Sequence, residues 1–120
     1  MKKILLIEDN VMNCELIKDI LVLCNYQITS TGDGADALVI LENESFDLIL
    51  TDIHLPKMDG VEFIHKFKES KGIAKVVAMT SDLTTKSGET FEEVGFHGYI
   101  QKPFKVSEFR QYIKTMLGES

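Results

Sequence analysis

Short apolar runs alternate with amphipathic segments five times along the chain. The runs are Ile4-Leu5-Leu6-Ile7, Tyr26 to Thr29, Leu48-Ile49-Leu50, Val76-Val77-Ala78-Met79 and Tyr99-Ile100. The first, third and fourth are apolar on consecutive residues rather than alternate ones, the pattern of strands covered on both faces, as in a parallel sheet. Between the runs, spacing predicts helices over 11–24, 34–43, 60–69 and 106–117. In the first, Met12, Leu16, Ile20 and Leu23 form an i, i+4 stripe, widened by Ile17, Leu21 and Cys24. Ala37, Leu38 and Leu41 mark the second more modestly. Val61, Ile64 and Phe67 mark the third, with Asp59 and Glu62 placed as a capping box at its start. Val106, Phe109, Ile113, Met116 and Leu117 mark the last. The stretch 84–94 is weaker. Thr84, Thr85, Ser87, Gly88 and Thr90 are indifferent or poor helix formers and only Phe91 and Val94 offer anchors, so a short, frayed or mobile fourth helix is expected.

Five β-α units with short connections predict an α/β fold: a doubly wound, five-stranded parallel sheet of flavodoxin-like order 2-1-3-4-5, with helices on both faces. No repeat, low-complexity tract or linker divides the 120 residues, a length that suits one domain, 1–120. Thirteen Lys+Arg against 19 Asp+Glu leave a net charge of −6, which argues against nucleic acid or an anionic membrane as partner. No apolar run approaches the roughly 20 residues of a membrane span. The start MKKILLIEDN turns acidic too soon for a signal peptide, so a cytoplasmic location is expected. Cys14 and Cys24 lie too far apart along one helix to bridge, and His54, His65 and His97 show no metal spacing with them; reduced, packed thiols are expected.

In a doubly wound sheet the functional crevice lies beyond the carboxyl ends of the strands. Strand one ends in Glu8-Asp9, strand three in Asp52, strand four in Thr80, and strand five approaches Lys102-Pro103. Three carboxylates, a hydroxyl and an ammonium thus converge. Close carboxylates repel unless a cation compensates them, and a hard divalent ion, most simply Mg²⁺, suits oxygen ligands. Mg²⁺, a lysine and a hydroxyl together suit phosphoryl oxygens.

These residues resemble the receiver domain of two-component response regulators, from Lys2 to about Leu117. The matching pieces are Ile7-Glu8-Asp9-Asn10, Thr51-Asp52-Ile53-His54-Leu55-Pro56-Lys57-Met58-Asp59-Gly60, Met79-Thr80-Ser81 and Gly98-Tyr99-Ile100-Gln101-Lys102-Pro103-Phe104. The resemblance implies that Asp52 is the phosphoacceptor and attacks a phosphohistidine on a histidine kinase or histidine phosphotransfer protein. It implies Mg²⁺ bound by Asp9, Asp52 and the backbone carbonyl of His54, with Glu8 acting through water. Lys102 would pair with a phosphoryl oxygen, its bond to Pro103 being cis. Thr80 and Tyr99 would be the switch residues, and His54 and Asp82 would help set the lifetime of the acyl phosphate. Ser81 departs from the alanine usual in the family. A downstream protein target would meet the fourth helix, fifth strand and fifth helix, including the Gly88 region, and slow self-dephosphorylation should accompany acceptance.

Asp59 and Gly60 read as structural, a cap and a turn, and Asn10 as the cap of the first helix. His65 and His97 read as surface residues. With one receiver-sized domain and no room for an output domain, the chain is expected to be either free-standing or part of a larger regulator or hybrid kinase; Asn10 and Asn13, in E-D-N-x-x-N, resemble hybrid-kinase and stand-alone receivers. A haloacid-dehalogenase type hydrolase is the main alternative, but it needs an acid/base Asp where this chain has His54. A flavin or nucleotide carrier needs a phosphate loop where this chain has Glu8-Asp9-Asn10.

Overall fold

The three central strands form where apolar residues run consecutively, because such a run gains from burial on both faces of the sheet. β1 (Lys3–Ile7), β2 (Gln27–Thr31), β3 (Leu48–Asp52), β4 (Lys75–Thr80) and β5 (Gly98–Gln101) make one parallel sheet in the order β2-β1-β3-β4-β5, as expected. The structure is a computed structural model and describes residues 1–70, 72–82 and 89–119. The helices are α1 (Val11–Leu23), α2 (Gly34–Asn43), α3 (Gly60–Glu69), α4 (Phe91–Val94) and α5 (Val106–Met116).

Successive residues of each central strand face opposite layers. Leu5, Ile7, Ile49, Val76 and Ala78 pack with Ala37 of α2 and with Phe63, Ile64 and Phe67 of α3. Ile4, Leu6, Leu48, Leu50, Val77 and Met79 pack with Ile17, Ile20 and Leu21 of α1 and with Phe109 and Ile113 of α5. Each buried aliphatic side chain contributes about 1.5–3 kcal/mol relative to exposure, so the strand centres are the rigid frame from which the strand ends project.

Three expectations need correction. Of the α1 stripe, Met12, Leu16 and Leu23 face out, at 82%, 52% and 82% exposure, while Ile20 is buried together with Ile17 and Leu21 from the flanking positions. The helix is apolar around more than one face, and the sheet takes the face whose branched side chains fill the layer beside α5. Tyr26 stays outside β2, which starts one residue later. Tyr26 follows Asn25, at φ 65° in the left-handed region that Asn tolerates, and its ring is buried while its hydroxyl donates to Glu119 (2.6 Å). Val106 begins α5 but is half-exposed. The expected fourth helix is described only from Glu89 onward. Phe91 and Val94 are its buried anchors, while 83–88, with Gly88, lie outside the described residues. Cys14 and Cys24 are free thiols at the edge of the α1 layer.

His97 is exposed, as expected, and is also tied to Val76 of β4. Just before β5, its backbone N–H donates to the Val76 carbonyl (2.8 Å) and its ring Nδ1 accepts the Val76 N–H (3.0 Å). Burial, with help from the Lys68 and Lys75 charges, holds the imidazole below its ordinary value of 6.5. A depressed native value means that the unfolded chain binds more protons below pH 6.5. The stabilisation is therefore complete above that pH and is lost as pH falls through the native value. Chemical denaturation of the wild type and His97→Asn between pH 5 and 8 (the range over which an ordinary histidine changes charge) should show this acid-side loss only in the wild type. Parallel curves would remove His97 from the account.

Candidate functional site

Every residue of the site leaves the sheet at the carboxyl end of a strand. Glu8 follows β1, and its N–H donates to the Thr31 carbonyl (2.9 Å), so the ladder holds it in place. Asn10 caps α1 by accepting the Asn13 N–H (2.9 Å). Asp52 is the last residue of β3. Beyond it the chain turns back, with Gly60 N–H donating to the Ile53 carbonyl (2.8 Å) and the Asp59 carboxylate accepting the Glu62 N–H (2.8 Å) to start α3. Asp59 is thus the cap that the sequence predicts. Gly60 is needed for close approach rather than for an unusual φ: a Cβ there would lie 2.8 Å from the Asp52 carbonyl oxygen and 2.9 Å from Ile53 Cα. Lys102 N–H donates to the Thr80 carbonyl (2.8 Å), which carries the β4–β5 pairing one step further and fixes the lysine. The Lys102–Pro103 bond is cis, as the resemblance implies.

These placements bring Glu8, Asp9, Asp52 and Lys102 together. Carboxylate oxygens of the three acids lie within 4.8 Å of one another. Lys102 Nζ bridges Asp52 Oδ2 (2.9 Å) and Glu8 Oε2 (3.2 Å). Glu8 is 3% exposed, and its Oε1 accepts the Asn10 N–H (3.3 Å) and the Asn13 side-chain amide (3.5 Å). Asp52 Oδ1 accepts the His54 N–H (3.0 Å). Burial raises the Glu8 carboxyl above its ordinary value; the Lys102 charge opposes this and the Asp52 charge adds to it. Burial pulls the Lys102 ammonium down, but its bonds and charges with Asp52 and Glu8 outweigh that and hold it above its ordinary value.

Among the described residues, one ammonium against three carboxylates leaves the cluster short of positive charge. Its donors are all oxygens, and it opens to solvent through exposed Asp9. That chemistry fits a hard divalent cation, and Asp9 and Asp52 are the accessible ligands.

Thr80 and Tyr99 are turned elsewhere. Buried Thr80 donates its hydroxyl to the Asp82 carbonyl (2.7 Å) and accepts the Asp82 N–H (3.0 Å). Tyr99 is 47% exposed on edge strand β5, its ring 5.4 Å from that of Phe91. His54, Ser81 and Asp82 are exposed around the site.

The sequence reading missed the bonds of Asn10 and Asn13 to Glu8. The E-D-N-x-x-N spacing was the available signal, since position N3 of a helix lies back over its own N-terminus.

Comparison with known proteins agrees with this geometry. The family model described as the response regulator receiver domain matches residues 4–114. The polar-differentiation response regulator DivK of Brucella ovis is 31% identical, with 99% of this chain and 98% of that protein aligned. The receiver domain of the sensor histidine kinase PA1611 from Pseudomonas aeruginosa PAO1, solved with a magnesium ion in its active-site cleft, superposes with a TM-score of 0.89 at 28% identity, covering 98% of each chain. The response regulator TrrA of Thermotoga maritima, solved in complex with Mg²⁺-BeF, superposes with a TM-score of 0.85 at 27% identity, covering 97% of this chain and 99% of that one. With a family model matching nearly its whole length and a relative 31% identical over nearly all of both chains, the chain belongs to the response regulator receiver domains of two-component signalling.

Proposed function

We propose that the protein accepts a phosphoryl group on Asp52 from a phosphohistidine of a histidine kinase or histidine phosphotransfer protein, with Mg²⁺ as cofactor, and passes the signal on by protein–protein contact. The observation that carries this reading is the Lys102 ammonium held between Asp52 and Glu8 inside the carboxylate cluster. An Asp oxygen forms the new bond to phosphorus while the phosphorus–nitrogen bond of the donor breaks, and the electron pair leaves with the imidazole nitrogen, which takes up a proton. Little covalent work falls to the protein, so positioning and charge do most of it. The His54 N–H and Lys102 orient the two Asp52 oxygens before reaction. Lys102 is already within reach of the acceptor and can follow the charge onto the phosphoryl oxygens. A Mg²⁺ ion held by Asp9, Asp52 and the His54 carbonyl, with Glu8 reached through water, would supply the remaining positive charge.

The acyl phosphate so formed is open to water, and exposed His54 and Asp82 stand where they can influence its lifetime. Thr80 and Tyr99 act as the switch, and the surface of α4, β5 and α5 takes the downstream target. No described helix is long and apolar enough to cross a membrane, and the acidic balance supports protein partners rather than nucleic acid; the early acidic turn after MKKILLI supports a cytoplasmic location. The test is intact-mass analysis after incubation with phosphoramidate. One phosphoryl group is expected with Mg²⁺ and none when a chelator removes it; an unchanged mass with Mg²⁺ rejects the proposal.

A further inference from the structure

The motif E-D-N-x-x-N carries one residue that the reading above leaves without a task. Asn10 caps α1, and its cap bond is donated by the Asn13 N–H. Asn13 therefore occupies the third position of the helix, and its side-chain amide reaches back to Glu8 Oε1 (3.5 Å). The other oxygen, Oε2, takes Lys102 (3.2 Å), and Lys102 in turn takes Asp52 (2.9 Å). A chain of contacts thus runs Asn13–Glu8–Lys102–Asp52. Asn13 also lines, with Leu16, Ser81 and Phe104, a groove of about 360 Å³ that shares Lys102 with the site.

Glu8 is a buried carboxylate whose two oxygens have different partners. Donors from α1 hold Oε1, and that leaves Oε2 alone for the lysine. Without the Asn13 amide, Oε1 keeps one of its two donors, the Asn10 N–H (3.3 Å). The carboxylate can then rotate and offer Lys102 both oxygens, drawing the ammonium away from Asp52. A group that must leave Glu8 for a phosphoryl oxygen is then held more tightly where it starts.

From this geometry we propose that Asn13 is a positioning residue for phosphoryl acceptance, acting through Glu8 to keep Lys102 shared with Asp52. The inference rests on Asp52 being the acceptor, and its test separates the two. Phosphoramidate is the donor, so no partner protein contributes to the rate. Asn13→Ala, at an exposed helical position that alanine suits, should slow the appearance of phosphorylated protein about fivefold. Asn13→Gln, which keeps the amide, should recover part of that loss. In a Glu8→Ala background, Asn13→Ala should add no further slowing, because its route to Lys102 is gone. The side-chain amide signal of Asn13 in an NMR spectrum should also shift on Glu8→Ala. An Asn13→Ala rate equal to wild type, or the same fivefold step in both backgrounds, overturns the inference while leaving the acceptor reading intact. If the wild type takes no phosphoryl group, the acceptor reading fails and the role inferred for Asn13 falls with it. The NMR arm still decides the contact, and an amide signal unmoved by Glu8→Ala removes it.

Discussion

Asp52→Asn should abolish the mass increase that phosphoramidate and Mg²⁺ produce in the wild type, whereas Asp59→Asn should retain it. The contrast is sharp because both are aspartates at the ends of the same connection. Asp52 has one oxygen on the His54 N–H and the other on Lys102, inside a cluster with Glu8 and Asp9. Asp59 spends its carboxylate on the Glu62 N–H as the cap of α3. An Asn in place of Asp52 lacks the anionic oxygen that must form the bond to phosphorus, so the loss should be complete within detection. Asparagine is as good a cap as aspartate, so Asp59→Asn should cost well under about 1 kcal/mol of stability. A mass shift that survives in Asp52→Asn and vanishes in Asp59→Asn would place the acceptor on the wrong side of the turn.

Gly60→Ala should be strongly destabilising. The added carbon would meet the Asp52 carbonyl oxygen at 2.8 Å and Ile53 Cα at 2.9 Å, both backbone atoms that no rotamer change can move aside. Overpacking of this kind costs about 3 kcal/mol, which lowers Tm by roughly 10 °C in a domain of this size. Relief comes by pushing α3 off the end of β3, and that moves Asp52, the proposed acceptor. Thermal unfolding and the phosphoramidate rate should therefore fall together. A Tm within about 2 °C of wild type would show that the connection yields, since overpacking there would then cost well under 1 kcal/mol.

The strands were legible because β1, β3 and β4 are apolar on consecutive residues, a pattern with few other uses in a short segment. Their carboxyl ends were legible for the same reason, and with them the meeting of Glu8, Asp9, Asp52 and Lys102. Helix faces were harder to read. α1 carries apolar side chains at Val11, Met12, Leu16, Ile17, Ile20, Leu21, Val22 and Leu23, so periodicity alone offers more than one face, and only packing against the sheet selects among them. Contacts that depend on a rotamer escaped altogether. The His97 ring on the Val76 N–H and the Asn13 amide on Glu8 each join polar groups whose side chains have several open directions in the unfolded sequence.

The closed pair of bonds between Thr80 and Asp82 has a consequence for timing. A buried hydroxyl satisfied twice by its own loop has no reason to leave until something better is offered, and each bond given up costs on the order of 1 kcal/mol. Under the proposed function, loading Asp52 and reorganising the loop at Thr80 are therefore two events with a threshold between them. A molecule can be loaded yet silent, and the fraction that speaks is governed by how nearly the two hydroxyl positions balance rather than by occupancy alone.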